Sequence, residues 1–221
     1  MAHLIPSVSE RRLITGFLFG CTGCLITLSP VGKVSGAHIN PAVSFAFWLS
    51  GHMKTKAFAG YIVSQMLGAI VGSLPLLLWD DQGSSINYAN TVPGTMGIWP
   101  AFLGEIITTA CLITVIFVFV NNKRLHEYTA YTMPFLYCFM VYAETVYSGC
   151  STNPARSFGP AIISNVFTSY WVYISAPVFG AAMVSSIFRW FGTHRNSLIR
   201  TARVSHHDQP SPQSNEYVLN N

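Results

Sequence analysis

Two stretches of this 221-residue chain, 57–79 and 98–120, run almost without charge. Each is longer than the ~20 residues a helix needs to cross a bilayer. Inside lipid every backbone N–H and C=O must find a partner within the protein, so spanning segments are helices or a closed barrel. Three more apolar stretches, 13–28, 129–147 and 170–191, bring the expected spans to five. The expected class is an all-α membrane protein. Composition agrees, because only 9% of residues are charged, against about 25% in soluble domains. A soluble enzyme with apolar core helices is set aside, since several separate runs exceed ordinary helix length.

Two shorter apolar segments, 41–50 and 154–166, lie after the first and fourth spans. Both are too short to cross, so they are expected as re-entrant half-helices. Each opens with the same tripeptide, Asn40-Pro41-Ala42 and Asn153-Pro154-Ala155. The flanks match as well: Ser35-Gly36-Ala37-His38-Ile39 before the first, Ser148-Gly149-Cys150-Ser151-Thr152 before the second. A tripeptide repeated with its context in two halves of a membrane protein points to an inverted repeat. Such repeats meet at the bilayer midplane and form the solute site there.

The tripeptide suits that place chemically. A half-helix starting inside the membrane leaves its first N–H groups unpaired. Proline at its first position loses nothing, having no N–H. Asparagine before it is a favoured cap, and its amide can still present donors to a lumen. Alanine lets two helix ends approach closely. Two such ends, tip to tip, would place two positive dipole ends and two asparagine amides at one narrow point. Cations, a hopping proton included, are repelled there, and a neutral hydrogen-bonding solute is held by donors.

At these residues the chain resembles the aquaporin, or major intrinsic protein, family, in a form like its divergent bacterial branches. Ser-Gly-Ala-His-Ile-Asn-Pro-Ala-Val (35–43) and Asn-Pro-Ala-Arg-Ser-Phe-Gly-Pro-Ala (153–161) carry the resemblance, which extends over about 13–191. It implies a right-handed bundle, a passive channel for water, with small neutral solutes (glycerol, ammonia, hydrogen peroxide) as further candidates, and a homotetramer. It implies no enzymatic activity and no cofactor. Glu105 resembles the family's buried glutamate, which holds the backbone of the second Asn-Pro-Ala loop, and His38 stands as a second structural support. Arg156 matches the family's filter arginine. Cys150 matches a filter position that lines by its carbonyl or its thiol. Val141 falls where strict water channels place histidine, and the aromatic filter position maps to Phe19 or Gly20. Ser157, Ala161 and Tyr173 match water channels, whereas Ile174 replaces an expected tryptophan.

The family has six full spans, and the one without a counterpart here is the first. A misplaced start or a genuine truncation is expected. Two further readings are carried: an ion-coupled transporter using Glu105 and Glu144, and a non-conducting membrane protein. Glu144 is expected to pair with Arg156, to face the second half-helix, or to reach water.

Lys54, Lys56, Lys123, Arg124, Arg189, Arg195, Arg200 and Arg203 fall on one side of a five-span topology. That side, and the polar tail 193–221 with it, is expected to be cytoplasmic, in a plasma or inner membrane. Residues 1–192 form one channel domain. Arg11 and Arg12 then land outside, against the rule, in what reads as an external loop. Five cysteines, most inside apolar spans, read as packing residues, Cys21-x-x-Cys24 included. The chain has no zinc spacing, phosphate loop, nucleophile elbow or basic-aromatic pattern, so metals and nucleic acids are not expected partners. Small-xxx-small pairs at Gly16/Gly20, Gly68/Gly72 and Ala176/Gly180 are expected to let helices pack closely.

Overall fold

The computed structural model describes residues 5–193, and within them there is no strand. The tail from 194 onward, with Arg195, Arg200, Arg203 and His206-His207, lies outside the described residues. Helix α1 is Val8–Leu28, α2 Pro30–Ser35, α3 Pro41–Leu49 and α4 Thr55–Ser73, the last continued by a 3₁₀ segment, Leu74–Trp79. Helix α5 is Asp80–Ser85, α6 Ile98–Asn121, α7 Thr129–Glu144, α8 Pro154–Ser164 and α9 Tyr170–Thr193.

Among the described residues four helices are long and apolar enough to cross a membrane: Val8–Leu28, Thr55–Trp79, Ile98–Asn121 and Tyr170–Phe191. The remaining expected span, α7, has 16 residues, about 24 Å at 1.5 Å per residue. A 3₁₀ turn, His126–Tyr128, leads into it. The two half-helices have 9 and 11 residues and follow their asparagine caps as expected.

The first span begins earlier than its apolar run. The Ser7 side chain accepts from the Glu10 N–H and caps the helix, and Glu10 in the first turn favours the positive helix end. Glu10, Arg11 and Arg12 are therefore helical, not an external loop. The short α2 is a further element. Ser29 caps it, Pro30 opens it, and Gly36 ends it at φ 75°.

Close approach between helices follows glycine. A Cβ on Gly16 would strike the backbone of Tyr137 and Cys138 and the Val141 side chain, and one on Gly20 the backbone of Met133 and Pro134. Helices α1 and α7 thus pack nearly backbone to backbone. Gly180 does the same for α9 against Ile106 and Ala110 of α6. Gly68 and Gly72 do not act this way, since a Cβ on either would meet no other part of this chain within 4 Å. They sit on the exposed face of α4, which also carries Val63, Leu67 and Val71.

The half-helices pack across the repeat. Helix α3 lies chiefly on α9 and α8 chiefly on α4. Ser185 and Arg189 of α9 donate to the Ala46 and Leu49 carbonyls of α3. Val43 and Phe47 of α3, Ile113 and Phe117 of α6, Met140 of α7 and Val184 of α9 form the centre of the apolar core.

Candidate functional site

The two Asn-Pro-Ala turns meet inside this core. The Asn40 Oδ1 accepts from the Ala42 N–H at 2.8 Å, and the Asn153 Oδ1 accepts from the N–H groups of Ala155 and Arg156 at 3.0 and 3.3 Å. Each asparagine thus caps its own half-helix. Each also reaches across. The Asn40 Nδ2 donates to the Thr152 carbonyl at 2.9 Å, and the Asn153 Nδ2 donates to the Ile39 carbonyl at 3.0 Å. One amide hydrogen of each pair is committed to the opposite loop, and the other has no partner among the described residues.

The loops leading into the turns share an unusual backbone. Ala37 and Ile39 have φ of 47° and 44°, and Cys150 and Thr152 have φ of 54° and 53°. The left-handed residues lie one and three places before each asparagine. Positive φ in β-branched Ile39 and Thr152 is strained. Its local consequence is that successive peptides turn over. The Ile39 and Thr152 carbonyls meet the opposite asparagine, while those of Ala37, His38, Gly149 and Cys150 accept no hydrogen bond among the described residues.

Glu105 fixes the second loop. It is fully buried. Its Oε1 accepts from Ser148 Oγ at 2.5 Å and the Ser151 N–H at 2.7 Å, and its Oε2 accepts from the Thr152 N–H at 2.7 Å. Tyr173 donates its hydroxyl to the Ser148 carbonyl at 2.8 Å, and the Tyr137 hydroxyl meets Thr152 Oγ1 at 3.1 Å. The first loop is held by different chemistry. His38 stacks on Phe47 with centroids 4.7 Å apart and meets Ser44 Oγ at 3.2 Å. Gln65 donates to the same Ser44 oxygen at 2.9 Å, and Tyr61 donates to the Ser35 carbonyl.

Arg156 stands in the first turn of α8. Its Nη1 donates to the Ala89 carbonyl at 2.7 Å. No carboxylate forms an ion pair with it among the described residues, so the expected pairing with Glu144 is absent. The Ala89 carbonyl is presented by three consecutive residues of positive φ, Asn87, Tyr88 and Ala89. Asn90 ties this loop down by donating to the Val166 carbonyl at 2.7 Å, and Thr91 donates to Ser157 at 2.6 Å.

Of the two candidates on α1, Gly20 is a packing position against α7. Phe19 is the partly exposed one, edge-on to Tyr137 with centroids 4.9 Å apart. Val141 lies against Gly16 in the same apolar cluster as Cys150. The Cys150 side chain is only 4% exposed and lies beside Glu144, behind the loop. Glu144 rests over Gly104 of α6 and does not reach the second half-helix.

Sequence reasoning did not single out Tyr61, Gln65, Tyr137 or Ala89. Tyr137, one turn before Val141 on the inward face of α7, had a usable signal in its spacing. Ala89 had none, since no glycine marks its left-handed turn.

The model of the family described as Major intrinsic protein matches residues 13–188. The chain belongs to the major intrinsic protein family. Relatives include aquaporin NIP1-1 of Zea mays, 37% identical over 158 residues, covering 71% of this chain and 55% of the relative. The lens fiber major intrinsic protein of Ovis aries is 34% identical over 165 residues, covering 72% of this chain and 61% of the relative. The chain therefore spans less than two thirds of the length of these two major intrinsic proteins. Among solved structures, the aquaglyceroporin from Plasmodium falciparum superposes with a TM-score of 0.61 at 19% identity, covering 82% of this chain and 96% of that one. That likeness establishes the major intrinsic protein fold as the helical bundle seen here.

Proposed function

We propose that this chain forms a passive pore for water and small neutral solutes, and that it excludes ions and protons. One observation carries the reading: the reciprocal bonds by which Asn40 and Asn153 join two opposed helix N-termini. Both helix ends present positive potential to one point, and Arg156 adds a third positive group. A cation loses its water shell there and gains no compensating charge. A neutral solute exchanges its hydration for the spare amide hydrogens and the unpaired carbonyls of the two loops. Phe19, Val141, Cys150 (through its carbonyl) and Arg156 are the proposed filter. With valine where a histidine would narrow the passage, the pore takes glycerol, ammonia and hydrogen peroxide as well as water.

Glu105 supports this reading over an ion-coupled transporter. Both its oxygens are taken by the second loop, so Glu105 itself is committed to structure and not to carrying a proton. The reading includes assembly of like copies as a homotetramer, each with its own pore. It also sets the membrane as the plasma membrane and puts the end bearing Lys54, Lys56, Lys123 and Arg124 on the cytoplasmic side. Stopped-flow light scattering on proteoliposomes with a panel of osmolytes tests it. Water flux above that of empty vesicles, insensitive to ionophores, is expected. Flux that follows an imposed proton gradient would overturn the channel in favour of the transporter.

A further inference from the structure

Three consecutive residues of the loop before α6 each hold a different point along α8 and its exit. The Ala89 carbonyl accepts from Arg156 Nη1 at 2.7 Å, Asn90 Nδ2 donates to the Val166 carbonyl at 2.7 Å, and Thr91 Oγ1 donates to Ser157 Oγ at 2.6 Å. Backbone bonds do not do this work. The Ala89 and Asn90 N–H groups donate to Ile86 and Asn87 of the same loop, and among the described residues the first backbone bond from it to another segment is that of the Gly94 N–H to the Tyr147 carbonyl. Side chains therefore set the place of the Ala89 carbonyl. Thr91 is the most buried of them, at 5% exposure. Its methyl group faces Gly149, where a Cβ would stand 3.4 Å away.

The Thr91 hydroxyl heads a chain of buried hydroxyls that ends on Asn153. Ser157 Oγ meets Ser151 Oγ at 2.5 Å, and Ser151 Oγ donates to the Asn153 carbonyl at 3.0 Å. Each hydroxyl has one hydrogen to give. Ser151 spends its own on the carbonyl, so Ser157 donates to Ser151, and the Ser157 oxygen is left to accept from Thr91. One direction runs through all three links. The far end is anchored twice more, since the Ser151 N–H donates to Glu105 and the Asn153 Nδ2 to the Ile39 carbonyl. Away from water, links in such a chain polarise and strengthen one another.

We propose that Thr91 is a positioning residue for the filter: its hydroxyl, anchored through Ser157 and Ser151 on the second Asn-Pro-Ala turn, holds the Ala89 carbonyl where it keeps the Arg156 guanidinium in place. This rests on the pore reading above and names a residue that sets its selectivity. Thr91 is two residues from Ala89, and Ser157 is next to Arg156, so one hydroxyl pair ties the guanidinium and its acceptor to a common support. Ala89 has φ of 59°, a left-handed conformation that an alanine keeps only under restraint. Without the Thr91 hydroxyl the loop relaxes and the carbonyl moves off. The guanidinium then swings out of the ring it forms with Phe19, Val141 and Cys150. The ring widens, and a solute larger than water gains more from that than water does.

The test measures glycerol and water permeability of the full chain in proteoliposomes and takes their ratio, which does not depend on how many channels insert. Thr91→Val keeps the shape of the side chain and removes the hydroxyl. It should raise the ratio by roughly threefold or more, the factor that a single hydrogen bond commands. Thr91→Ser keeps the hydroxyl and should stay close to wild type. Ser157→Ala removes the acceptor from the other side and should match Thr91→Val; it carries the test if the valine variant fails to insert. Arg156→Ala should raise the ratio by itself, and adding Thr91→Val to it should change nothing further. An unchanged ratio in Thr91→Val and Ser157→Ala would overturn the positioning role and leave the pore standing. A rise in Thr91→Ser equal to that in Thr91→Val would overturn the part given to the hydroxyl, and a further rise in the double variant would overturn the route through Arg156. Wild-type vesicles no more permeable to water than empty ones would overturn the pore reading itself.

Discussion

Asn40 and Asn153 each donate a side-chain N–H to the carbonyl that immediately precedes the other, at 2.9 and 3.0 Å. Asn153→Asp removes one of these donors and sets a carboxylate against the Ile39 carbonyl. A carbonyl left without its donor costs about 1–3 kcal/mol, and the new charge attracts cations to the narrowest point. Reduced water flux and a measurable cation leak are expected for Asn153→Asp and for Asn40→Asp. Parallel light-scattering and ion-sensitive dye measurements on the same vesicles check this. Unchanged water flux and ion exclusion in both variants would contradict the pore.

Glu105→Ala strands three donors at once, those of Ser148, Ser151 and Thr152. Each buried unpaired group costs about 1–3 kcal/mol, so the variant should lose both thermal stability and flux. Glu105→Gln keeps the shape but turns an NH₂ toward a donor, and its melting temperature should fall between the two. A thermal melt in detergent, followed by tryptophan fluorescence, ranks the three proteins.

Glycine substitutions should split by partner, not by motif. Gly20→Ala drives a methyl into the Met133 and Pro134 backbone and should destabilise the α1–α7 pair. Gly68→Ala meets nothing within 4 Å and gains helix propensity of roughly 1 kcal/mol. The first should melt lower than wild type and the second no lower. Equal effects would mean that α1 and α7 are not in the close contact described.

The Cys150 thiol is buried beside Glu144, so mercurials should leave flux largely unaffected, and Cys150→Ser should conduct like wild type. Rapid block by mercury, relieved in Cys150→Ser, would put the sulfur in the lumen.

Val141→His should lower the ratio of glycerol to water permeability. The ring adds bulk and a polar group at a position now held by an aliphatic side chain against Gly16. A wild-type ratio already at zero for every solute tried would show that valine leaves the filter closed to them.

Much of this architecture could be read from residues. Proline after asparagine fixed the starts of both half-helices, because a capped, proline-opened turn leaves little freedom. The apolar runs 57–79, 98–120 and 170–191 agree to within two residues with α4 and its 3₁₀ continuation, α6 and α9. The start of α1 was hidden by Glu10, Arg11 and Arg12, whose charges resemble a loop although Ser7 caps them as a helix. The reach of Ala89 to Arg156 was hidden for the opposite reason. Asn87, Tyr88 and Ala89 adopt left-handed backbone without a glycine, held by tertiary contacts such as the Asn90 bonds that local propensity does not register. The turn of Glu144 over Gly104 of α6 was hidden as well, because its place on α7, one turn after Val141, does not by itself say which neighbouring helix its side chain meets.

The crossing of the half-helices, α3 onto α9 and α8 onto α4, bears on how the chain is made. The seat of the first half-helix is supplied by α9, the last helix among the described residues, and the bonds that seal the centre join residues 112 and 114 positions apart. Neither half can complete its own interior. The early segments must therefore enter the membrane with their short helix unseated and wait until translation reaches α9. The same interlocking means that the two halves, produced as separate polypeptides, should find one another and reconstitute the centre, as the strands of a clasp close only when both are present.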